Sequence, residues 1–246
     1  MKNSIQKLFI VMPAYNEADN IDDVVKQWHI IVAKLNELGT ESKLVIANDG
    51  SKDTTWEKLQ QLSADYHFLV PLDKKNSGHG ATLLYLYRYS LQNGADFIFQ
   101  TDSDGQTVPD EFWNMWGGME NLYDFQIGYR NKRQDGWNRI FVTKVLKSVV
   151  KMTFNVSVTD ANTPFRLMKS DSLKNIINLI PDDFFLSNVA LSAIAVKKKY
   201  KIRWIPVTFR PRQGGVNSIN LKKIFLIGVK ALSDFYKINK NITNKI

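Results

Sequence analysis

The chain has 246 residues, 44% of them hydrophobic and 23% charged, which suits a soluble α/β protein with a sizeable core. It contains no cysteine and only three histidines (His29, His67, His79), which excludes disulfides, thiolate zinc sites and cysteine nucleophiles and leaves oxygen ligands for any metal. A formal charge of +9 and a pI near 9.5 imply attraction to polyanions: nucleic acid, anionic headgroups or phosphorylated substrates.

Apolar runs and helical patterns alternate through the first half. This predicts a mostly parallel sheet flanked by helices. The first strand is expected at Leu8–Met12, stopped by Pro13 and too short for a signal-peptide core. Ile21, Val24, Val25, Trp28, Ile31, Val32 and Leu35 then recur at helical spacing, with Asp19 or Asn20 as N-cap and Gly39 as the stop. Further strands are expected at Lys43–Ala47, Phe68–Leu72, Phe97–Thr101 and Phe125–Gly128, with crossover helices over 53–65 and 80–93. The second half is more helical and more basic. Helices are expected at Arg139–Phe154, 170–180 and 184–196, then a strand at Ile202–Phe209, then an amphipathic helix from Leu221. No run approaches the length of a membrane span. The chain therefore reads as one domain, with residues 1–130 as a nucleotide-sized half and 131–246 as the second half.

Four polar clusters follow the first four strands. They are Pro13-Ala14-Tyr15-Asn16-Glu17, Asn48-Asp49-Gly50-Ser51-Lys52-Asp53-Thr54, Asn76-Ser77-Gly78-His79-Gly80 and Asp102-Ser103-Asp104-Gly105-Gln106. Each alone is compatible with an ordinary turn. In open α/β sheets, however, ligands bind beyond the carboxyl ends of the strands, and all four clusters fall there. Asp102 and Asp104 project to one side and suit a hard cation, Mg2+ or Mn2+, that keeps coordination positions for substrate phosphates.

In this order the four clusters resemble the family 2 glycosyltransferases, which have a nucleotide-sugar-binding GT-A fold. Arg130, Arg139, the pattern Asp160-…-Phe165-Arg166 and Arg212-…-Gly215-…-Ser218 resemble the branch of dolichol- and polyprenyl-phosphate sugar synthases. The resemblance spans about Leu8 to Leu221. Pro164 departs from it, standing where a glycine usually precedes Phe-Arg, and Gly214–Ser218 is a longer loop than usual.

The resemblance implies a donor site for a UDP- or GDP-sugar. Glu17 and Asp49 would accept hydrogen bonds from the base. The backbone of Pro13, Ala14 and Tyr15 would hold base and ribose, and Ser51, Gly78, Asp102 and Ser103 would complete the set. Asp102, Asp104 and Gln106 would hold the metal on the diphosphate. The implied catalytic residues are Asp102, Asp104, Arg130, Arg139 and Asp160. A hydroxyl acceptor needs a positioned base, for which Asp160, Asp182, Asp183 and His79 are candidates. A phosphate acceptor is already ionised, with a second pKa of about 6, and needs cations instead. Arg130, Arg139 and Arg212, with Thr143 and Ser218, would grip it; Arg166 would pair structurally with Asp160.

The expected reaction is therefore inverting, metal-dependent sugar transfer to a polyprenyl phosphate (undecaprenyl or dolichyl). The alternative acceptor is a sugar hydroxyl in cell-surface polysaccharide assembly. The basic amphipathic helices suggest a cytoplasmic protein peripheral to a membrane surface. No recognised motif supports nucleic-acid binding.

Overall fold

A computed structural model describes residues 5–118, 120–130, 137–211, 231–240 and 242, with the backbone alone for 137–144. The predicted alternation is present: β1 (Lys7–Ala14), α1 (Ile21–Glu37), β2 (Glu41–Asp49), α2 (Thr55–Asp65), β3 (Leu69–Lys74), α3 (His79–Gln92) and β4 (Phe97–Gln100). A 3-10 turn at Pro109–Asn114 leads to β5 (Phe125–Arg130) and α4 (Trp137–Phe154). Then come β6 (Arg166–Lys169), α5 (Ser170–Ile177), α6 (Ser187–Lys197) and β7 (Ile202–Val207). Residues 231–240 are helical. That segment falls within the amphipathic helix expected from Leu221, and the stretch before it lies outside the described residues.

The seven strands run in the order β3-β2-β1-β4-β6-β5-β7. All neighbours are parallel except β6, which is antiparallel to both β4 and β5. From β1 the chain steps outward through β2 to β3 and then returns to the other side of β1 at β4. The switch point therefore lies between β1 and β4, where a ligand crevice opens in such sheets.

Alternation along β1 divides the core. Leu8, Ile10, Met12 and Ala14 face the layer of α1 and α2, whereas Phe9 and Val11 face α3, α5 and α6. The stripe predicted for α1 is buried at every position from Ile21 to Leu35, each such side chain contributing about 1.5–3 kcal/mol. Asn20 occupies the N-cap position but does not cap; its Nδ2 donates to Glu17 Oε2 at 2.7 Å.

β6 is the strand that sequence reasoning missed. It is four residues long with a basic residue at each end, so it carries no apolar alternation. Arg166 is nonetheless fully buried.

Candidate active site

The four polar clusters meet at the carboxyl edge of β1–β4. The turn after β1 is fastened to the turn after β2 by hydrogen bonds in both directions. Asn16 N donates to Ser51 Oγ at 3.0 Å, and Lys52 N donates back to Asn16 Oδ1 at 2.8 Å. Glu17 N donates to Thr55 Oγ1 and Ala18 N to Asp53 Oδ2. Asn16 sits at φ 54, a left-handed position that asparagine tolerates well. Glu17 is buried, while the Tyr15 ring is exposed at the rim. Across the switch point, Ser103 Oγ donates to Pro13 O at 2.8 Å.

Asp49 and Lys74 are cross-strand partners at the ends of β2 and β3. Lys74 Nζ donates to Asp49 Oδ1 at 2.5 Å and also to Lys75 O, Ser77 Oγ and Thr82 Oγ1. Ser77 N and Gly78 N donate to the two oxygens of Asp49, both at 2.9 Å. Burial pushes the Asp49 carboxyl up, but the bonds from Lys74, Ser77 and Thr82 together outweigh it and hold the pKa below the usual value. The structure thus gives Asp49 a set of loop-organising partners, so any base contact is made by a carboxylate already fixed in place. Gly50 keeps φ +63 beside this loop, and a Cβ there would stand 2.7 Å from Asn76 N.

Asp102 follows β4 with its side chain partly exposed, and His79 Nε2, at the start of α3, lies 3.1 Å from Asp102 Oδ1. Burial lowers the His79 pKa, but Asp102, Asp104 and Asp49 together raise it above the usual imidazole value. Half of the ring remains open to solvent, which screens these charges. Asp104 Oδ1 accepts from Gln106 N at 3.1 Å, closing the turn. Gln106, expected as a metal ligand, donates through Nε2 to Arg210 O at 3.0 Å, and Arg210 N donates back to Gln106 O at 2.7 Å. A bridge between Thr107 and Phe209 continues this tether.

Arg130, the last residue of β5, lays its guanidinium 4.3 Å from the centre of the Phe209 ring. It therefore shares a brace with the Asp102–Gln106 turn. Asp160 is buried in the segment before β6. Arg166 does not form the simple ion pair expected for it with Asp160: its donors go to three backbone carbonyls and one hydroxyl. Asp182, one of the base candidates, is exposed and paired with Arg88. The side chains of Arg139 and Thr143, and all of Arg212 and Ser218, lie outside the described residues.

Among the described residues no cluster of three or more His, Asp or Glu side chains could hold a metal ion by itself. The donor set still fits a hard cation shared with phosphate: two carboxylates two residues apart on a closed turn, both half-buried. Asp102 and Asp104 are the residues that would hold it. Lys74 and Phe209 were missed by sequence reasoning. The signal for Lys74 was present, since an acid and a base each lie two residues beyond the ends of two predicted strands.

This is an α/β nucleotide-binding architecture with a carboxylate turn at its switch point, the form of a nucleotide-sugar-dependent transferase. Residues 9–177 match glycosyl transferase family 2, and the chain belongs to that family. It is similar to the polyprenol monophosphomannose synthase of Mycolicibacterium smegmatis, 22% identical over 87% of this chain and 82% of that one. It is also similar to the undecaprenyl-phosphate 4-deoxy-4-formamido-L-arabinose transferase of Edwardsiella ictaluri, 24% identical over 90% of this chain but 65% of that one. Thus the chain spans less than two thirds of the second relative. Among solved structures it resembles the glucosyl-3-phosphoglycerate synthase of Mycobacterium tuberculosis bound to Mn2+, UDP and glucosyl-3-phosphoglycerate. There the TM-score is 0.65 and the identity 14%, over 96% of this chain and 80% of that one. No helix among the described residues is long and apolar enough to cross a membrane.

Proposed function

We propose that this chain transfers a sugar, with inversion, from a UDP- or GDP-sugar to a polyprenyl phosphate such as undecaprenyl phosphate. The observation that carries this reading is that two relatives, aligned over 87% and 90% of the chain, are named for placing a sugar on a polyprenol or undecaprenyl phosphate.

The donor lies across the switch point. Tyr15 offers its exposed ring to the base, with Pro13, Ala14, Glu17, Asp49 and Ser51 around base and ribose. Gly78, Asp102 and Ser103 border the diphosphate. Asp102 and Asp104, with Gln106 closing their turn, would hold Mg2+ or Mn2+, which when bound would neutralise the negative charge that grows on the departing nucleoside diphosphate. An acceptor phosphate oxygen forms the new bond to the anomeric carbon as the bond from that carbon to the diphosphate breaks. The electron pair leaves with the nucleotide. The acceptor oxygen is ionised near neutrality, so no side chain has to remove a proton. Arg130, Arg139 and Arg212, with Thr143 and Ser218, grip the acceptor phosphate, and Asp160 flanks it.

A lipid acceptor is met at a bilayer. The chain docks peripherally on the cytoplasmic face through its later helices. Lys147, Lys151, Lys237 and Lys240 are exposed there, as are Met152 and Tyr236. The test is incubation with labelled UDP- and GDP-sugars, a divalent cation, and either undecaprenyl phosphate or an oligosaccharide. Label in the lipid fraction supports the reading; label only in the oligosaccharide replaces it with hydroxyl transfer, for which Asp160 or His79 would be the base.

A further inference from the structure

Beside the end of β4, from which Asp102 emerges, lies a buried polar cluster that the proposed chemistry does not use. Its centre is Arg166, fully buried, whose cross-strand partner is Gln100, two residues before Asp102. The guanidinium is a three-way fork. Nε donates to Thr163 O at 2.6 Å, Nη2 to Ala161 O at 2.7 Å, and Nη1 to Asn188 O at 3.1 Å and Ser192 Oγ at 2.9 Å. Ser192 Oγ reinforces it, lying 2.9 Å from Asn188 O and 3.1 Å from Ala161 O. On the other side, Tyr87 OH donates to Gln100 Oε1 at 2.5 Å. Burial lowers the Arg166 pKa to about 10, while Tyr87, Asp160 and Asp102 pull it upward, so it stays charged at neutral pH.

A buried cation is costly, and an apolar residue of similar volume is often at least as stable. What the guanidinium does here that methionine could not is bind two carbonyls of the 161–163 segment and one of α6 in a single rigid plane. Those carbonyls lie in the stretch from Asp160 to Phe165, whose ring packs on Phe99 and Trp28. Arg166 thereby ties the Asp160 segment to the strand from which Asp102 emerges. Three buried side-chain atoms have no protein partner, on two of the residues whose carbonyls the fork grips and on the cross-strand partner of Arg166: Thr163 Oγ1, Asn188 Oδ1 and Gln100 Nε2. They supply one donor and two acceptors on almost wholly buried residues. An internal water, which makes about three such bonds, matches that set.

We propose that Arg166 is a positioning residue which, together with an ordered internal water, fixes the 160–163 segment and its Asp160 carboxylate relative to Asp102. The consequence for catalysis rests on the proposed function; the structural claim does not.

Two sets of measurements separate them. In the first, Arg166→Lys, which keeps the charge but loses the fork, and the milder Ser192→Ala are compared with the wild type by hydrogen exchange. Amide exchange across residues 160–163 should rise about tenfold or more in Arg166→Lys and by a smaller factor in Ser192→Ala. Wild-type protection in every variant that folds overturns the proposal. A crystal structure of the wild type should show a water within hydrogen-bonding distance of Gln100 Nε2 and of Thr163 Oγ1 or Asn188 Oδ1. The absence of such a water overturns that part of the proposal. In the second, turnover of UDP-glucose and GDP-mannose with undecaprenyl phosphate is measured for the same variants. Arg166→Lys should lose about 100-fold in kcat, with donor KM changed less than about threefold. Unchanged kcat overturns the link to the reaction, whereas a wild type that turns over no nucleotide sugar overturns the proposed function and leaves the exchange result to stand.

Discussion

Replacing Lys74 by methionine isolates the clamp that shapes the loop between β3 and α3. The wild-type pair is almost dry, with 4% of the Asp49 side chain and 16% of the Lys74 side chain exposed. Methionine keeps most of the volume but removes four hydrogen bonds and the positive charge. Removing one partner of a buried ion pair costs about 3–5 kcal/mol. Here Ser77 N and Gly78 N still hold the carboxylate, so the lower end, about 3 kcal/mol, is expected. For a chain of this length that corresponds to a fall in Tm of roughly 6–12 °C.

The pH dependence provides the sharper check. In the wild type the folded Asp49 pKa is depressed, so its stabilisation is present above the ordinary aspartate pKa of about 3.9 and is lost as pH falls through the folded value. Without Lys74, burial, the largest single influence, pushes the carboxyl up, and protonation then relieves the strain of an uncompensated charge. The deficit of Lys74→Met should therefore be greatest near pH 7 and shrink below about pH 4. Urea unfolding of Lys74→Met, Asp49→Asn and the double variant between pH 3 and 7 measures this. Additive single effects within about 0.5 kcal/mol, or a deficit that does not change with pH, would refute the clamp.

Asp102→Asn and Asp104→Asn should each lower kcat by about 100- to 1,000-fold while leaving Tm within a few degrees, as read by sugar-nucleotide turnover beside a thermal melt. Wild-type turnover in either variant removes the carboxylate turn from the chemistry. Gly80→Ala places a Cβ 2.3 Å from Phe184 O and 2.5 Å from Phe185 O, backbone atoms that cannot swing aside. A loss of about 3 kcal/mol or failure to accumulate folded protein is expected, and an unchanged Tm would contradict the close approach of α3 to that turn. EDTA should abolish turnover with little change in the Tm of the ligand-free protein. UDP or GDP with Mn2+ at about 100 times its Kd should add about 2.7 kcal/mol, a rise of roughly 5–11 °C.

What could be read from the sequence was local. The α1 stripe and the four polar clusters each obey a short-range rule of helical spacing or strand-end turn chemistry, and each lies where it was expected. What could not be read depends on distant pairings. Arg166 was expected to pair with Asp160 because nothing in Thr163-Pro164-Phe165-Arg166 announces an α6 carbonyl 22 residues later in the chain. The bond from Gln106 to Arg210 could not be read either, because the two are 104 residues apart. The same limit explains β6: a four-residue strand between two others needs no alternating pattern once both of its edges are paired.

These distant pairings bear on how the site is held. The family match ends at residue 177, but the turn bearing Asp102 and Asp104 is braced from beyond it. β7 pairs with β5 from Ile202 to Val207, and the chain then runs through Phe209 and Arg210, which grip Thr107 and Gln106. Arg130 presses on the same Phe209 ring from the end of β5. β6, from the later half, separates β4 from β5, so the two strands that carry Asp102 and Arg130 have no contact edge without it. A displacement of the 209–210 strap would therefore move the carboxylate turn and Arg130 together. In the proposed reaction those are the donor-side and acceptor-side charges, and the Phe209 ring and the Arg210 backbone groups link them across the sheet.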